Sequence, residues 1–351
     1  MRNGTSSMLI GATVAAFLVL PAVAGDNGWV VWPTKSFQTS ALRVDDMVGN
    51  VRVNVADGPM KVDVSGSRNL VGGLTVRTEG NVLHISGGDP VGFNVWDWSK
   101  WFDFSHIHDD TDGKLFIKVT VPKGSDVRIE DLVGNATVGD TYGPVRLETT
   151  AGDSTVGRVS EARVSMAGSG KTSIADVAGD LRIEIAGSGR VTTSHAGSVR
   201  AEIFGSGSAQ VGAINSGAHV EIAGAGDFSA ARVNGPVNVD IAGSGNVKIA
   251  DGVADPLRID IAGSGDFYFG GTAVEPRISA MGSGNVKIKA YRGQIHNDGM
   301  ADVQIGGVAM PATPMVPPIP PVPPMPHVPP MPPMPPMPPH HHHSDDDDDD
   351  K

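Results

Sequence analysis

The 351-residue chain contains no cysteine, few aromatic residues (5%) and few charged residues (19%). Without cysteine, neither a disulfide framework nor a thiolate-ligated metal site is available. The formal net charge is −12, and six of the acidic side chains form the aspartate run 345–350. Lysine and arginine form no basic stripe of the kind that phosphate binding requires, so we expect no nucleic-acid partner.

Long apolar runs are also missing, because the longest, Met8–Leu20, is shorter than the roughly 20 residues of a transmembrane helix. This run follows Arg2 and precedes Pro21-Ala22-Val23-Ala24. The order is typical of a secretory signal peptide, and a buried helix is the alternative. We therefore expect residues 1–24 to be removed, leaving no transmembrane segment in an exported chain in the periplasm, on the outer surface or secreted.

A glycine-rich tetrapeptide recurs at spacings of 18 to 20 residues. The copies begin at Ala167, Ala186, Phe204, Ala223, Ala242, Ala262 and Met281. Each follows an alternation of apolar and polar residues, such as Leu181-Arg182-Ile183-Glu184-Ile185, and precedes a shorter one, such as Asn246-Val247-Lys248-Ile249. One such unit cannot bury its apolar face alone, whereas stacked units can. The pattern predicts an all-β fold, a parallel β-solenoid with coils of about 19 residues and glycine corners.

The domain organisation follows from these patterns. We predict a strand-rich N-terminal capping part at 25–113, regular solenoid repeats at 114–306, and a Pro/Met-rich linker with a His/Asp tail at 307–351. Strand candidates in and after the capping part are Asn50–Val55, Met60–Val64, Leu74–Arg77, Val82–Ser86, Leu115–Val121, Val127–Glu130 and Val145–Thr149. No segment between residues 40 and 300 shows a helical period.

Several stretches carry a family resemblance. They are Val62–Ser67 with Asn69–Val71, Asn81–Ile85, Ile117–Pro122, and the corners Gly243–Asn246 and Gly263–Asp266. Together they resemble the auto-transporter adhesin head GIN domain of secreted bacterial proteins, over roughly residues 40–290. The resemblance implies a right-handed β-helix in an extracytoplasmic protein, and it implies no known catalysis.

Stacking the repeats predicts two charged columns on the outer surface. The acidic column contains Glu184, Glu202, Glu221, Asp240 and Asp260. The basic column beside it contains Arg163, Arg182, Arg200, Arg258 and Arg277, interrupted by His219 and Asn238. We interpret them as a solvated, charge-balanced ladder. The alternative is divalent-ion binding along the carboxylates, since Ca²⁺ prefers oxygen ligands.

The insertion at 89–110 is rich in aromatic side chains. Its Trp96, Trp98, Trp101, Phe102 and Phe104 are candidate ligand-binding residues, because aromatic rings can stack on sugars or anchor a partner surface. The alternative is a cap that covers the open end of the core. A metal site formed by His106, His108 and Asp110 is a further hypothesis.

The C-terminal segment has a separate composition. Proline supplies 17 of the 29 residues at 311–339, which predicts a disordered tail of polyproline II character. The tail ends in His340, His341, His342, His343 and the aspartate run. Histidine and methionine side chains suit weak binding of Zn, Ni or Cu, and a low-complexity spacer is the alternative. No cofactor is otherwise predicted.

Catalytic motifs are weak. The stretch Gly168-Ser169-Gly170-Lys171-Thr172 lacks the first glycine of a phosphate-binding loop, because position 165 is Ser165. We predict no enzyme, and interpret the chain as an adhesin-like module that binds a cell-surface glycan or envelope component. A metal-binding envelope protein and a polysaccharide-active β-helix enzyme are the alternatives.

Overall fold

The computed structural model of the protein describes residues 23–24, 28–87, 114–299, 301–306 and 308–310. Strands make up 76% of these residues and helix 2%, and they form a β-solenoid of about nine turns with coils of about 19 residues. The all-β solenoid predicted from the repeat is therefore confirmed. Of the predicted linker and tail at 307–351, residues 308–310 form a short strand and residues 311–351 lie outside the described residues. Among the described residues, no helix has the length and apolar character needed to cross a membrane.

The strands of the first part are β1 (Val23–Ala24), β2 (Trp29–Val31), β3 (Lys35–Phe37), β4 (Ala41–Asp45), β5 (Met47–Val55), β6 (Met60–Ser67), β7 (Thr75–Glu79), β8 (Val82–Ser86) and β9 (Leu115–Val121). The middle strands are β10 (Asp126–Val138), β11 (Val145–Val159), β12 (Ala162–Gly187), β13 (Arg190–Gly205), β14 (Ser208–Ile214), β15 (Ala218–Gly224) and β16 (Asp227–Gly243). The last strands are β17 (Asn246–Ile249), β18 (Gly252–Gly263), β19 (Asp266–Val274), β20 (Arg277–Gly282), β21 (Asn285–Arg292), β22 (His296–Asn297), β23 (Asp302–Ile305) and β24 (Val308–Met310). The helix α1 (Arg68–Gly72) joins β6 to β7.

Each regular coil has two strand segments that meet at a glycine corner. In one coil, residues 181–187 form the first segment and residues 190–196 form the second. We call the surface built by the first segments face A and the surface built by the second segments face B. Successive coils pair in parallel and in register, so that Glu184 is next to Glu202 on face A and Thr192 is next to Gln210 on face B.

The core lies between the two faces and is built from the inward residues of each alternation. One inner column of face A consists of Ile183, Ala201, Val220, Val239, Ile259 and Ile278, all of which are buried. Phe228, Phe267 and Phe269 fill the same interior from face B. Because side chains alternate between the two sides of a strand, the neighbours of these inward residues, such as Arg182 and Glu184 beside Ile183, point outward.

The corners require glycine for two physical reasons, which Gly243 illustrates. Its φ of +129° is unfavourable for residues that carry a Cβ atom. A Cβ atom at this position would also lie 2.4 Å from the carbonyl oxygen of Gly224 on the preceding coil. The stretch Gly168-Ser169-Gly170 is an equivalent corner inside β12, and Gly170 has a φ of +144°.

At the N-terminal end, the order along the chain differs from the order in space. β4 pairs in parallel with both β8 and β10, and β5 pairs in parallel with both β9 and β10. The coil made by β4 and β5 therefore lies between the coil made by β8 and β9 and the first turn of β10. The outer coil is flanked by antiparallel strands, β7 beside β8 and β6 beside β9. Helix α1 was not predicted, because five residues are too few to show a helical period.

Candidate binding surfaces

Face A carries the two predicted charged columns. The register places Glu202 beside Glu184 on one side and Glu221 on the other, and it places Arg200 beside Arg182 and His219. The acidic column continues with Asp240 and Asp260, and the basic column continues through Asn238 to Arg258 and Arg277. Arg43, Arg128 and Arg146 extend the basic column towards the N-terminus. The predicted columns are therefore confirmed.

Ion pairs connect neighbouring coils in the first part of this ladder. Arg182 bridges two coils, with its Nε 2.7 Å from Glu184 and an Nη 3.1 Å from Glu202. Arg43 similarly reaches Asp45 and Glu130, at 2.9 and 2.6 Å. Each bridging arginine therefore offsets the repulsion between stacked carboxylates.

The protonation of Glu184 reflects this arrangement. Partial burial by itself would raise the pKa of the Glu184 carboxyl, because burial disfavours the charged form. Hydrogen bonds from Arg182 and Ser165, with the charges of Arg163 and Arg182, outweigh that effect and hold the pKa below its ordinary value. Groups on two adjacent coils, Arg182 on one and Arg163 with Ser165 on the other, therefore stabilise the ionised form of Glu184.

The ladder of ion pairs ends at His219, which corrects the expectation of charge balance along the whole column. Glu221, Asp240 and Asp260 have no ion pair and no side-chain hydrogen bond within the described part of the chain. His219 and Asn238 occupy the positions that arginine holds earlier. Over the same ranges, no three His, Asp or Glu side chains are grouped so that they could hold a metal ion.

Face B carries a groove with a different chemistry. Its outward column consists of uncharged polar residues, Ser173, Thr192, Gln210 and Ser229, followed by Lys248. The next outward positions hold the small residues Ser194, Gly212, Ala231 and Ala250. Together they line a groove of about 670 Å³ that crosses five coils, and Lys248 is the only charged residue in its lining.

Hydrogen bonds fix the edge of this groove at the turn after residue 193. The Oγ1 of Thr193 donates to the carbonyl oxygen of His195 at 3.2 Å. The ring of His195 lies between Asp176, 3.6 Å from Nδ1, and the Nδ2 of Asn215, 2.8 Å from Nε2. These contacts bind three successive coils together and hold the turn in place.

The candidate ligand-binding and metal-binding residues of the insertion and of the tail lie outside the described residues. This applies to Trp96, Trp98, Trp101, Phe102, Phe104, His106, His108 and Asp110, and to His340, His341, His342 and His343. The described residues at the two ends of the insertion, Gly87 and Lys114, belong to the outer coil. The backbone N–H of Gly87 donates to the carbonyl oxygen of Asp45, and that of Ser67 donates to the carbonyl oxygen of Lys114.

The groove on face B was not predicted from the sequence. Its signal was present, because Ser173, Thr192, Gln210 and Ser229 recur at the spacing of the coils. Outward hydroxyl and amide side chains are common on the solvent side of any strand, so their recurrence did not stand out. The groove depends equally on the small residues of the next column, and these become informative only when the register is known.

Comparison with known proteins identifies one matching family. The family model described as "putative auto-transporter adhesin, head GIN domain" matches residues 46–249 and 218–304. No curated protein matches the chain.

Several solved bacterial structures are similar to the chain. A putative adhesin from Parabacteroides distasonis ATCC 8503 is 15% identical, with a TM-score of 0.37, over 81% of this chain and 98% of that chain. A putative lipid binding protein from the same strain is 16% identical, with a TM-score of 0.41, over 82% and 97%. A putative adhesin from Parabacteroides merdae ATCC 43184 is 13% identical, with a TM-score of 0.31, over 81% and 98%.

Proposed function

The chain belongs to the auto-transporter adhesin head GIN domain family, and from this premise we propose that it is a non-catalytic, adhesin-like module that binds a cell-surface or envelope component. The proposal includes action outside the cytoplasm, which the family and the signal-peptide pattern at residues 1–24 support.

The observation that carries the proposal is the in-register stacking of equivalent side chains on both faces. Face A repeats a carboxylate from Glu184 to Asp260, and face B repeats an uncharged polar side chain from Ser173 to Ser229. A surface that repeats one group on every coil can contact a repetitive partner at several points. Several weak contacts then combine into stable attachment, as multivalent binding requires.

The arrangement favours binding over catalysis. A hydrolytic site requires acid, base or nucleophilic groups that converge on one reacting atom. Here, the described carboxylates of the ladder lie in a column that runs from one coil to the next. His195 is held between Asp176 and Asn215 at the edge of the groove. These groups are suited to holding the structure and to presenting a repeated surface.

The aromatic insertion belongs to the proposal as a candidate contact region. Trp96, Trp98 and Trp101 carry rings that can stack on sugars or enter a pocket of a partner. In the sequence, their segment lies between β8 (Val82–Ser86) and β9 (Leu115–Val121). We propose that it contacts the partner together with the faces of the solenoid.

The experiment measures binding of the mature chain to bacterial cells and to purified envelope polysaccharides, with and without Ca²⁺. The test variant is Trp96→Ala/Trp98→Ala/Trp101→Ala, and the matched control replaces the same residues with Phe, which keeps an aromatic ring. We expect the wild type to bind, the Ala variant to bind more weakly and the Phe variant to retain most binding, while all three keep β-type circular dichroism. Absence of wild-type binding to cells and to every envelope fraction would contradict the proposed function.

A further inference from the structure

We propose that the groove on face B binds an extended, uncharged glycan chain that lies along the axis of the solenoid. This inference rests on the proposed function and names the class of ligand and the site. The groove crosses five coils, from Ser173 to Lys248. At a strand separation of about 4.8 Å, five coils span about 19 Å, which is long enough for several sugar rings in a row.

The polar groups of the groove match the hydroxyl groups of a sugar. Ser173, Thr192 and Ser229 carry hydroxyls, each of which can donate and accept a hydrogen bond, and Gln210 adds an amide that does both. Thr192 Oγ1 donates to Ser173 Oγ at 3.2 Å. Within the described part of the chain, the side chains of Gln210 and Ser229 make no hydrogen bond to protein and remain able to bind a ligand.

The absence of charge along the groove favours an uncharged partner. The same coils carry paired charges on face A, such as Arg182 with Glu184 and Arg200 with Glu202. On face B, the charged side chains Lys171, Arg190 and Asp227 lie in the outward column beside the groove and not in its lining. An anionic polymer would find one cation, Lys248, among the residues that line the groove, which is too few to pair with a repeated negative charge. A neutral glycan meets neither repulsion nor the cost of removing unpaired charges from water.

The shape of the groove also suits a sugar ring. The small side chains of Ser194, Gly212, Ala231 and Ala250 leave space next to the polar column. Tyr268 follows Lys248 in that column, and its hydroxyl lies 3.2 Å from the position that a Cβ atom on Gly270 would take. Its ring therefore leans over the small-residue column beyond the end of the groove, where an aromatic face can stack on a sugar.

A peptide strand is a poorer match for this site. Peptides that bind to β-sheets usually add to an open strand edge, where main-chain groups are unpaired. In the groove, the neighbouring segments of β12, β13, β14, β16 and β17 are already paired with one another. The groove therefore offers hydrogen-bonding groups of side chains and not of the main chain. Polymers rich in hydroxyl groups, such as glycans, can pair with these side chains.

Affinity gel electrophoresis of the full mature chain can test the inference. The gels contain laminarin, hydroxyethyl cellulose or dextran as neutral probes, or alginate as an anionic probe. The blocking variant is Ala231→Phe, which fills the groove with a ring on an exposed strand position. Its matched control is Ala242→Phe on face A of the same strand, in the column where Phe204 already occurs. A second variant, Thr192→Val/Gln210→Met, removes polar groups and keeps the size of the side chains similar.

We expect at least one neutral probe to retard the wild type and Ala242→Phe equally, with alginate causing less retardation. Ala231→Phe should lose retardation, and Thr192→Val/Gln210→Met should weaken binding about fivefold or more, as expected for two lost hydrogen bonds. Binding to cells should be abolished by periodate oxidation of their sugars and should survive protease treatment. If cell binding persists in Ala231→Phe, or is lost to protease and not to periodate, the groove inference is wrong while the proposed function stands. If the wild type binds neither cells nor any probe, both fail.

Discussion

Glu202 and Glu221 occupy neighbouring positions on adjacent coils of face A, and the ladder of ion pairs ends between them. Glu202 lies 3.1 Å from an Nη of Arg182 and 2.6 Å from the Nε of Arg200. Glu221 follows His219, and it has no ion pair within the described residues. Carboxylates on adjacent coils, about 4.8 Å apart, repel each other unless a cation between them offsets the repulsion. The coils before and after His219 should therefore respond differently to loss of arginine and to acid.

The first prediction concerns the bridging arginine. Replacing Arg182 with Gln removes contacts to Glu184 and Glu202 and should lower the free energy of unfolding by about 0.5–1 kcal/mol, since both partners are partly exposed. The matched change Arg258→Gln, in the same column after His219, should have little effect. Urea unfolding at low salt measures the difference, and about 1 M salt should reduce it. Equal losses in the two variants would contradict a stabilising role for the ladder.

The second prediction concerns acid. The pKa of Glu184 lies below its ordinary value of 4.5, so the ionised carboxylate stabilises the folded chain at neutral pH. This contribution is fully present above about pH 4.5 and is lost as the pH falls through the lowered folded-state pKa. The variant Glu184→Gln should therefore melt at a lower temperature than the wild type at pH 7, and the gap should narrow as the pH falls below 4.5.

The matched control for acid is Glu221→Gln, in the same column but without an arginine partner among the described residues. We expect its melting temperature to remain close to that of the wild type at pH 7. Thermal melts followed by circular dichroism from pH 7 to pH 3 compare the three proteins. A gap for Glu184→Gln that stays constant across this range would show that ionisation of Glu184 does not stabilise the fold.

The third prediction concerns the corner glycines. Gly243→Ala places a Cβ atom 2.4 Å from the Gly224 carbonyl oxygen at a φ of +129°, and should cost about 2 kcal/mol or more. Gly72→Ala, at the end of α1, meets no atom within 4 Å and should leave stability within about 1 kcal/mol of the wild type. Thermal melts separate the two outcomes. If the Gly243→Ala variant proved as stable as the Gly72→Ala variant, the corner would tolerate a side chain and the prediction would be wrong.

The sequence predicted the parts of the fold that repeat. Alternation before each glycine tetrapeptide was enough to place Glu184 beside Glu202 and Ile183 in the core, because identical coils can stack in only one favourable register. The end of the ion-pair ladder was not predictable in the same way. His219 is polar and outward, as Arg200 is, and only side-chain distances reveal that the bridging contacts stop there.

Two other features depend on contacts far apart in the sequence. The coil of β4 and β5 lies between β9 and β10 because of long-range strand pairing, and no local pattern specifies that order. The groove on face B combines the column of Thr192 and Gln210 with the small residues Gly212 and Ala231 beside it. Each column alone is ordinary, and the groove exists only where the two lie side by side.

The last prediction concerns an Asp/Asn column at the start of the face B segments. Its register neighbours are Asp227, Asn246, Asp266, Asn285 and Asp302. Asp266 Oδ1 accepts hydrogen bonds from both the backbone N–H and the side-chain Nδ2 of Asn285, at 2.9 and 2.8 Å. Asp266→Ala should therefore lower stability by about 1 kcal/mol and should speed hydrogen exchange at the Asn285 amide.

Asp302→Ala is the matched control, because Asp302 lies next to Asn285 on the other side and makes no side-chain hydrogen bond within the described residues. Mass-spectrometric or NMR exchange measurements compare the two variants. The backbone N–H of Asn285 donates to the Asp266 side chain. Its protection against hydrogen exchange should therefore fall in Asp266→Ala and stay unchanged in Asp302→Ala. If it stays protected in both, the Asp266 carboxylate does not hold this corner.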